Sequence, residues 1–245
     1  MTNPKMMKFK RYKNTSFRFT PLIPFVRGRV LDVCCVGMGA NDIMGGHDFM
    51  HGKLKRIKPD IELYGMDIDK EGVEKLNQHG FKVIHQDVQK KFDLKMKFDT
   101  ILCEEGIEHL DDLNSFLKNM HDHLKDDGLF LLTTPNIIGL HVFLGVLLHG
   151  QPRKNPYHTH YHTRDSIKYL LESNGFEILN IDWFSPTNLK ATNFNARMNS
   201  WLTAILPHRW GKHIWVVARK KGNRKGYRGR SYQDIPWAST KTRVG

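Results

Sequence analysis

The residues best placed by type and spacing to do chemistry recur where apolar runs stop. RVLDVCCV (29–36) is followed by Gly37-Met38-Gly39, and ELYGMD (62–67) stops on Asp67. FKVIHQ (81–86) is followed by Asp87, and FDTILC (98–103) by Glu104-Glu105-Gly106 and then Glu108-His109-Leu110. LFLLTT (129–134) is followed by Pro135-Asn136. Glycines in a tight turn let backbone amides approach a ligand, and a carboxylate at the next strand end can accept from two ribose hydroxyls. A further acid can accept from an exocyclic amine. Together these groups suit a cofactor that contains adenosine.

Imidazoles form the second set. A histidine can take a proton near neutral pH, and the candidates are His109, His158 and His162. In His158-x-His160-x-His162 alternate residues share a face if the segment is extended, so three rings could converge on a metal. No acid is paired with them in sequence and the segment reads as a loop. No metal is therefore assigned, and His158 and His162 are read as a substrate-facing base or hydrogen-bond donor, the alternative being surface histidines of a lid. His109 is also spaced to tie down the start of the following helix, its preferred structural role. Asn136 could reach an acceptor, and Arg153, Lys154 and Arg164 could meet an anionic one. His47 and His51 lie near the first loop with no assigned role.

These groups need a frame to hold them. The five runs above read as strands, with two more at 176–183 and 213–219. DKEGVEKLNQ (69–78) reads as a helix, with Asp69 as its cap. LNSFLKNMHDHL (113–124) repeats apolar residues on one helical face, Asp126-Asp127-Gly128 is a turn, and Thr163 caps a helix over 164–173 that Gly175 ends. Strands alternating with helices over 29–134 predict an α/β fold: a Rossmann-like, doubly wound, seven-stranded, mostly parallel sheet. In such sheets ligands bind at the carboxyl ends of the strands.

With the strand ends in place, the chain resembles the class I S-adenosylmethionine-dependent methyltransferases, in the group that includes quinone-biosynthesis and saccharide-linked O-methyltransferases. The resemblance covers about residues 28–183 and is strongest over FDTILCEEGIEHLDDLNSFLKNMHDHLKDDGLFLLTTPN (98–136). It follows the family's order of strand, Glu, two residues, Glu-His-Leu, helix, Leu-Lys-x-x-Gly, strand, Thr-Pro-Asn. YGMDID with Asp67 and HQDV with Asp87 match two further motifs. The first loop departs from the usual Leu-Asp-Val-Gly-Cys-Gly-x-Gly: Leu31-Asp32-Val33 and Cys35 match, but Cys34 and Val36 stand for glycines, with Gly37 and Gly39 after them. His51-Gly52 fits a variant of the family that carries a Cys-Val-Gly turn.

The resemblance implies S-adenosyl-L-methionine as cofactor. Asp67 would hold the ribose with Ile68 beside it, and Asp87 and Val88 would flank the adenine. Asp32, Cys34, Val36, Gly37 and Gly39 would pass under the methionine part, and Glu104 and Glu105 would lie near the sulfonium. The implied reaction is methyl transfer, at oxygen, to a small-molecule, saccharide or lipid-linked acceptor.

Composition narrows the alternatives. Of the +13 net charge, residues 1–20 carry +6 and residues 219–245 carry +8, which leaves the body at 21–218 near neutral. With the resemblance, that gives one methyltransferase domain over 21–218 between two basic segments, the second flexible, that read as solubilising tails or, alternatively, as weak attraction to anionic membrane or nucleic acid. Three unspaced cysteines favour a reducing compartment. The longest apolar run, 137–148, spans about 18 Å as a helix, short of the roughly 30 Å of a bilayer core. The expected location is cytoplasmic, with a position peripheral to a membrane as the alternative. That run would cover a lipid-like acceptor or touch a membrane surface, or else be ordinary core or a dimer contact. A nucleic-acid or protein methyltransferase using the basic segments is the runner-up, although no Asn/Asp-Pro-Pro-Tyr/Phe motif follows the fourth strand. A nicotinamide dehydrogenase lacks the third glycine, since position 42 is Asp42, and a silent module of the same fold is the remaining reading.

Overall fold

The protein is described by a computed structural model over residues 19–37, 49–150, 155, 157–185 and 208–221. Alternation in the central strands decides its layering. Leu31, Ile101, Phe130, Leu132, Ile214 and Val216 pack in one buried cluster, while Val30, Leu102, Leu131, Trp215 and Val217 pack in another. Neighbouring residues on a strand point to opposite faces, so both faces of this sheet must be covered.

The strands are β1 (Arg29–Val33), β2 (Glu62–Asp67), β3 (Val83–His85), β4 (Phe98–Glu104), β5 (Leu124–Pro135), β6 (Phe176–Phe184) and β7 (His213–Lys220). They form one sheet in the order β3-β2-β1-β4-β5-β7-β6. β7 runs antiparallel to β5 and β6, and the other pairings are parallel. The predicted seven-stranded, mostly parallel sheet is what forms. α1 (Met50–Ile57) supplies Leu54 to one face, beside the 3-10 turn Thr20–Phe25. α3 (Leu113–His123) and α5 (Arg164–Ser173) supply Phe116, Leu117, Met120, Ile167 and Leu171 to the other. α2 (Lys70–Gln78) packs Val73 and Leu76 on Val36 and Val83.

Local chemistry sets the helix starts. Asp69 accepts from the Gly72 amide, Asp112 from the Ser115 amide, and Thr163 and Ser166 form a reciprocal capping box. Two expectations are corrected, and one element is new. The first strand stops at Val33 because the chain turns through Cys34, whose φ is +58°. Asp126-Asp127-Gly128 does not separate helix from strand: β5 already pairs with β4 at Leu124, and the register then jumps from Phe98↔Leu124 to Thr100↔Leu129. α1 has no counterpart in the sequence reading.

The apolar run forms α4 (Leu140–His149), which is not ordinary core. Ile138, Phe143, Leu144, Val146, Leu147 and Leu148 are all exposed, Leu148 by 72%. Among the described residues, no helix is long and apolar enough to cross a membrane.

Candidate active site

The carboxyl ends of β1 and β2 are tied together by the first loop. The Cys34 amide donates to Met66 O at 2.8 Å, and the Val36 amide donates to Asp67 Oδ2 at 2.9 Å. Two glycine positions of the family loop are thus occupied by residues that still make the turn. Cys34 takes the left-handed conformation at a cost of about 1–2 kcal/mol. Gly37 follows with φ +75° and is exposed, and a Cβ built there meets nothing within 4 Å among the described residues. Gly106, by contrast, lies under this turn: a Cβ there would sit 3.1 Å from the Cys34 and Cys103 sulfurs. A hydrogen bond from Cys34 and burial push the Cys103 thiol up, and burial with Asp32 and Asp67 nearby pushes Cys35 up. Both stay protonated, and Cys34, Cys35 and Cys103 are free thiols.

Asp67 ends β2 with its carboxylate fixed. Oδ2 takes the Val36 amide and Oδ1 the Asp69 amide, both at 2.9 Å. Burial raises its pKa and those amides oppose the rise. Each oxygen keeps a lone pair for a further donor. Ile68, next in sequence, is 63% exposed, an apolar side chain left open beside a fixed acid. At the end of β3, Asp87 accepts from the Gln89 amide, and Val88 is buried with its carbonyl taking the Asn119 side-chain amide. Glu104 and Glu105 are half-buried at the end of β4. Glu105 has φ +47° and accepts from His213 Nδ1 at 3.0 Å. Gly39 and His47 lie outside the described residues, as do Arg153, Lys154 and the basic segments 1–18 and 222–245.

Asp32 is turned away from this edge. It is buried, and its Oδ2 lies 2.9 Å from Nδ1 of His51, a residue of α1 that is fully buried. The sequence left His51 without a role. The signal was there only in outline, as an acid two residues before the turn and a His-Gly pair in the helix that follows it.

On the substrate side, the segment 157–162 folds back on the 3-10 turn Ile107–His109. The Thr159 and His160 amides donate to Glu108 O at 2.9 and 3.1 Å, and the Thr159 hydroxyl donates to the carbonyls of Glu108 and Leu110. His109 does not tie down α3, whose cap is Asp112; its Nδ1 donates instead to Tyr157 O at 2.9 Å. His158 meets the His109 ring edge-on at 4.7 Å between centroids. The three alternating histidines do not converge: His158 turns to His109, while His160 and His162 stack on each other. Asn136 does not reach outward either. It is wholly buried and donates its amide to Gly211 O and Arg209 O. Arg164 lies over the Trp183 ring at 4.9 Å.

His162 is buried beside Asn136, and its Nε2 makes no hydrogen bond among the described residues. Burial, with His160 nearby, lowers its pKa to about 4. The sign of the effect on stability follows. The unfolded chain, with a histidine pKa of about 6.5, binds the proton first, so His162 costs nothing above that pH and destabilises progressively as pH falls to about 4. The full penalty is about 3 kcal/mol. Urea midpoints measured from pH 7 to 4 are expected to fall, and the H162F variant is expected to fall less steeply. An equal slope in both proteins would show that His162 is not the group responsible.

A family model of the methyltransferase domain matches residues 10–181, and the chain belongs to that family. A ubiquinone biosynthesis O-methyltransferase from Rickettsia typhi is 29% identical over 108 residues, 42% of this chain and 41% of that protein. A protein of the same name from Ruegeria pomeroyi is 26% identical over 196 residues, 73% of this chain and 68% of that protein. The matched region thus spans about two-fifths of the length of the Rickettsia relative. Among solved structures, a SAM-dependent methyltransferase from Archaeoglobus fulgidus covers 83% of this chain, and 91% of its own chain is matched, with a TM-score of 0.56 at 20% identity. One from Mesorhizobium loti covers 83% of this chain, with 98% of its own chain matched and a TM-score of 0.53 at 17% identity. The fold is that of the class I methyltransferases.

Proposed function

We propose that this protein transfers the methyl group of S-adenosylmethionine to a hydroxyl oxygen of a small-molecule, saccharide or lipid-linked acceptor. One observation carries the reading: a carboxylate, Asp67, fixed by two amides at the end of β2, between an exposed Ile68 and the open space over Gly37. That triple fits an adenosyl group extended by an amino acid. The acid meets two ribose hydroxyls, the apolar side chain lies against a flat base, and the glycine gives the chain beyond the sugar room to pass.

When bound, the cofactor supplies an activated methyl carbon that an oxygen nucleophile takes in one in-line displacement, sulfur keeping the electron pair of the broken bond. Asp87 and Val88 would flank its adenine, Cys34, Val36 and Gly37 would hold the methionine part, and Glu104 and Glu105 would serve the sulfonium side. Asp32 acts from behind, by holding His51. His158 and His109 face the acceptor. Burial and the neighbouring His109 lower the His158 pKa, so its ring is neutral at pH 7 and has a lone pair to offer. His162 is enclosed, and burial holds its pKa down at about 4.

The name of the relatives, ubiquinone biosynthesis O-methyltransferase, supports oxygen as the acceptor atom. The exposed apolar face of α4, just past the end of β5, supports an acceptor with a lipid-like part. The catalytic unit is 21–218, and the basic segments 1–20 and 219–245 add weak attraction to anionic surfaces. Incubation with methyl-labelled S-adenosylmethionine and a panel of catechols, saccharides and isoprenoid phenols is expected to move label into one of these classes, with one S-adenosylhomocysteine formed per methyl. Label that appears only in added RNA, DNA or protein would overturn the choice of acceptor.

A further inference from the structure

We propose that Glu108, His109 and His158 bind a divalent cation of borderline softness, of the Mn2+, Co2+, Fe2+ or Zn2+ kind, at the acceptor side of the crevice. Each residue offers one ligand atom, and these atoms lie within 4.8 Å of one another. A cation 2.0–2.2 Å from imidazole nitrogen and carboxylate oxygen needs its ligands about 3–4.4 Å apart, so a closure of under about an ångström completes the set.

Three features make this more than a chance cluster. The first is the orientation of His109. A carbonyl can only accept, so the bond to Tyr157 O puts the His109 proton on Nδ1 and leaves the lone pair on Nε2. A ring held through one nitrogen by a carbonyl, with the other left bare, is the usual support of a metal-bound histidine. The second is the clamp. Thr159 and His160 bind Glu108 O through their amides, and Thr159 adds its hydroxyl. The loop that carries His158 is therefore fastened to the turn that carries the other two ligands. The third is the mix of charge. The Glu108 side chain is an acid exposed by only 1%, against the Thr134 hydroxyl at 3.2 Å. One buried acid and two imidazoles that converge are more than a general base requires, and they match what a cation requires.

Two imidazoles and one carboxylate leave coordination positions open, a set that suits first-row divalent ions better than Mg2+. The site's use rests on the methyl-transfer reading: the open positions take the acceptor hydroxyl, whose pKa a cation lowers. The proton leaves to solvent, the oxygen lone pair forms the new C–O bond, and the pair of the methyl–sulfur bond stays on sulfur. His158 then acts by ligation rather than as the base.

The test is a Mn2+ titration of the full chain, freed of metals by chelator, followed by loss of the free-ion electron paramagnetic resonance signal. One saturable site per chain is expected. H158A and H109A should each weaken it by about 10-fold or more, and H160A, which removes no ligand, should leave it unchanged. E108Q should also weaken it, with circular dichroism to show that the fold is kept; H158A carries the result if E108Q does not fold. The absence of a saturable site for both Mn2+ and Co2+, or a site that survives H109A and H158A unchanged, would overturn the proposal. S-adenosylhomocysteine calorimetry on the same samples separates the two readings, since loss of the cation site leaves the donor site to be judged by itself.

Discussion

Replacing Asp67 by Ala is expected to weaken S-adenosylhomocysteine binding by about 100-fold. Two hydrogen bonds from ribose hydroxyls to an ionised carboxylate contribute about 1.5–3 kcal/mol each, and a loss of about 3 kcal/mol is a factor of about 150. The loss has a second source. The Val36 and Asp69 amides both end on this carboxylate, so Ala leaves two donors without their acceptor and loosens the first loop. Asp67→Asn separates the two effects. It keeps one acceptor oxygen but turns an NH2 toward an amide donor, and an intermediate loss is expected. Calorimetry measures all three proteins. Equal affinity in D67A and the parent would refute the assigned contact.

His51→Ala is expected to be the most destabilising single change near the site. The ring is fully buried against β1 and β2, where a Cβ on Gly65 would lie 3.1 Å from its Cε1. It also packs against Phe81 at 5.4 Å between centroids. Its removal strands the Asp32 carboxylate in the interior, and breaking such a buried pair costs about 3–5 kcal/mol. For a domain of this size that lowers Tm by about 6–20 °C. Asp32 lies two residues before Cys34, so donor affinity should fall along with stability. A thermal scan that shows a shift of under about 2 °C would mean that the pair does not anchor the loop.

What could be read from the sequence follows from how local the signals are. Asp69, Asp112 and Thr163 lie within three residues of the amides they cap. The caps at Asp69 and Thr163 and the helix beginning near Leu113 were accordingly legible. The strands were legible because both faces of the sheet are buried, which makes β1, β4, β5 and β7 near-continuous apolar runs. The strand-end acids followed from that. What escaped depended on pairings distant in sequence. Asp32 and His51 are 19 residues apart, and their partnership needs α1, a short helix with only a few apolar residues. His109 and Tyr157 are 48 apart, so the turn of the 157–160 segment onto Glu108 could not be inferred from spacing. Alternation suggested that His158, His160 and His162 would share a face, whereas backbone bonds to Glu108 and Ile137 sent them to different neighbours. The non-glycine turn at Cys34 was the other obstacle, since a left-handed cysteine carries no sequence signature.

The most direct measurement is a crystal structure of the full chain grown with S-adenosylhomocysteine. The expected result is one ligand per chain, its ribose hydroxyls on Asp67, its adenine against Ile68 and its homocysteine part over Gly37. A crevice left empty at saturating ligand, or one filled by the chain's own first loop, would contradict the reading.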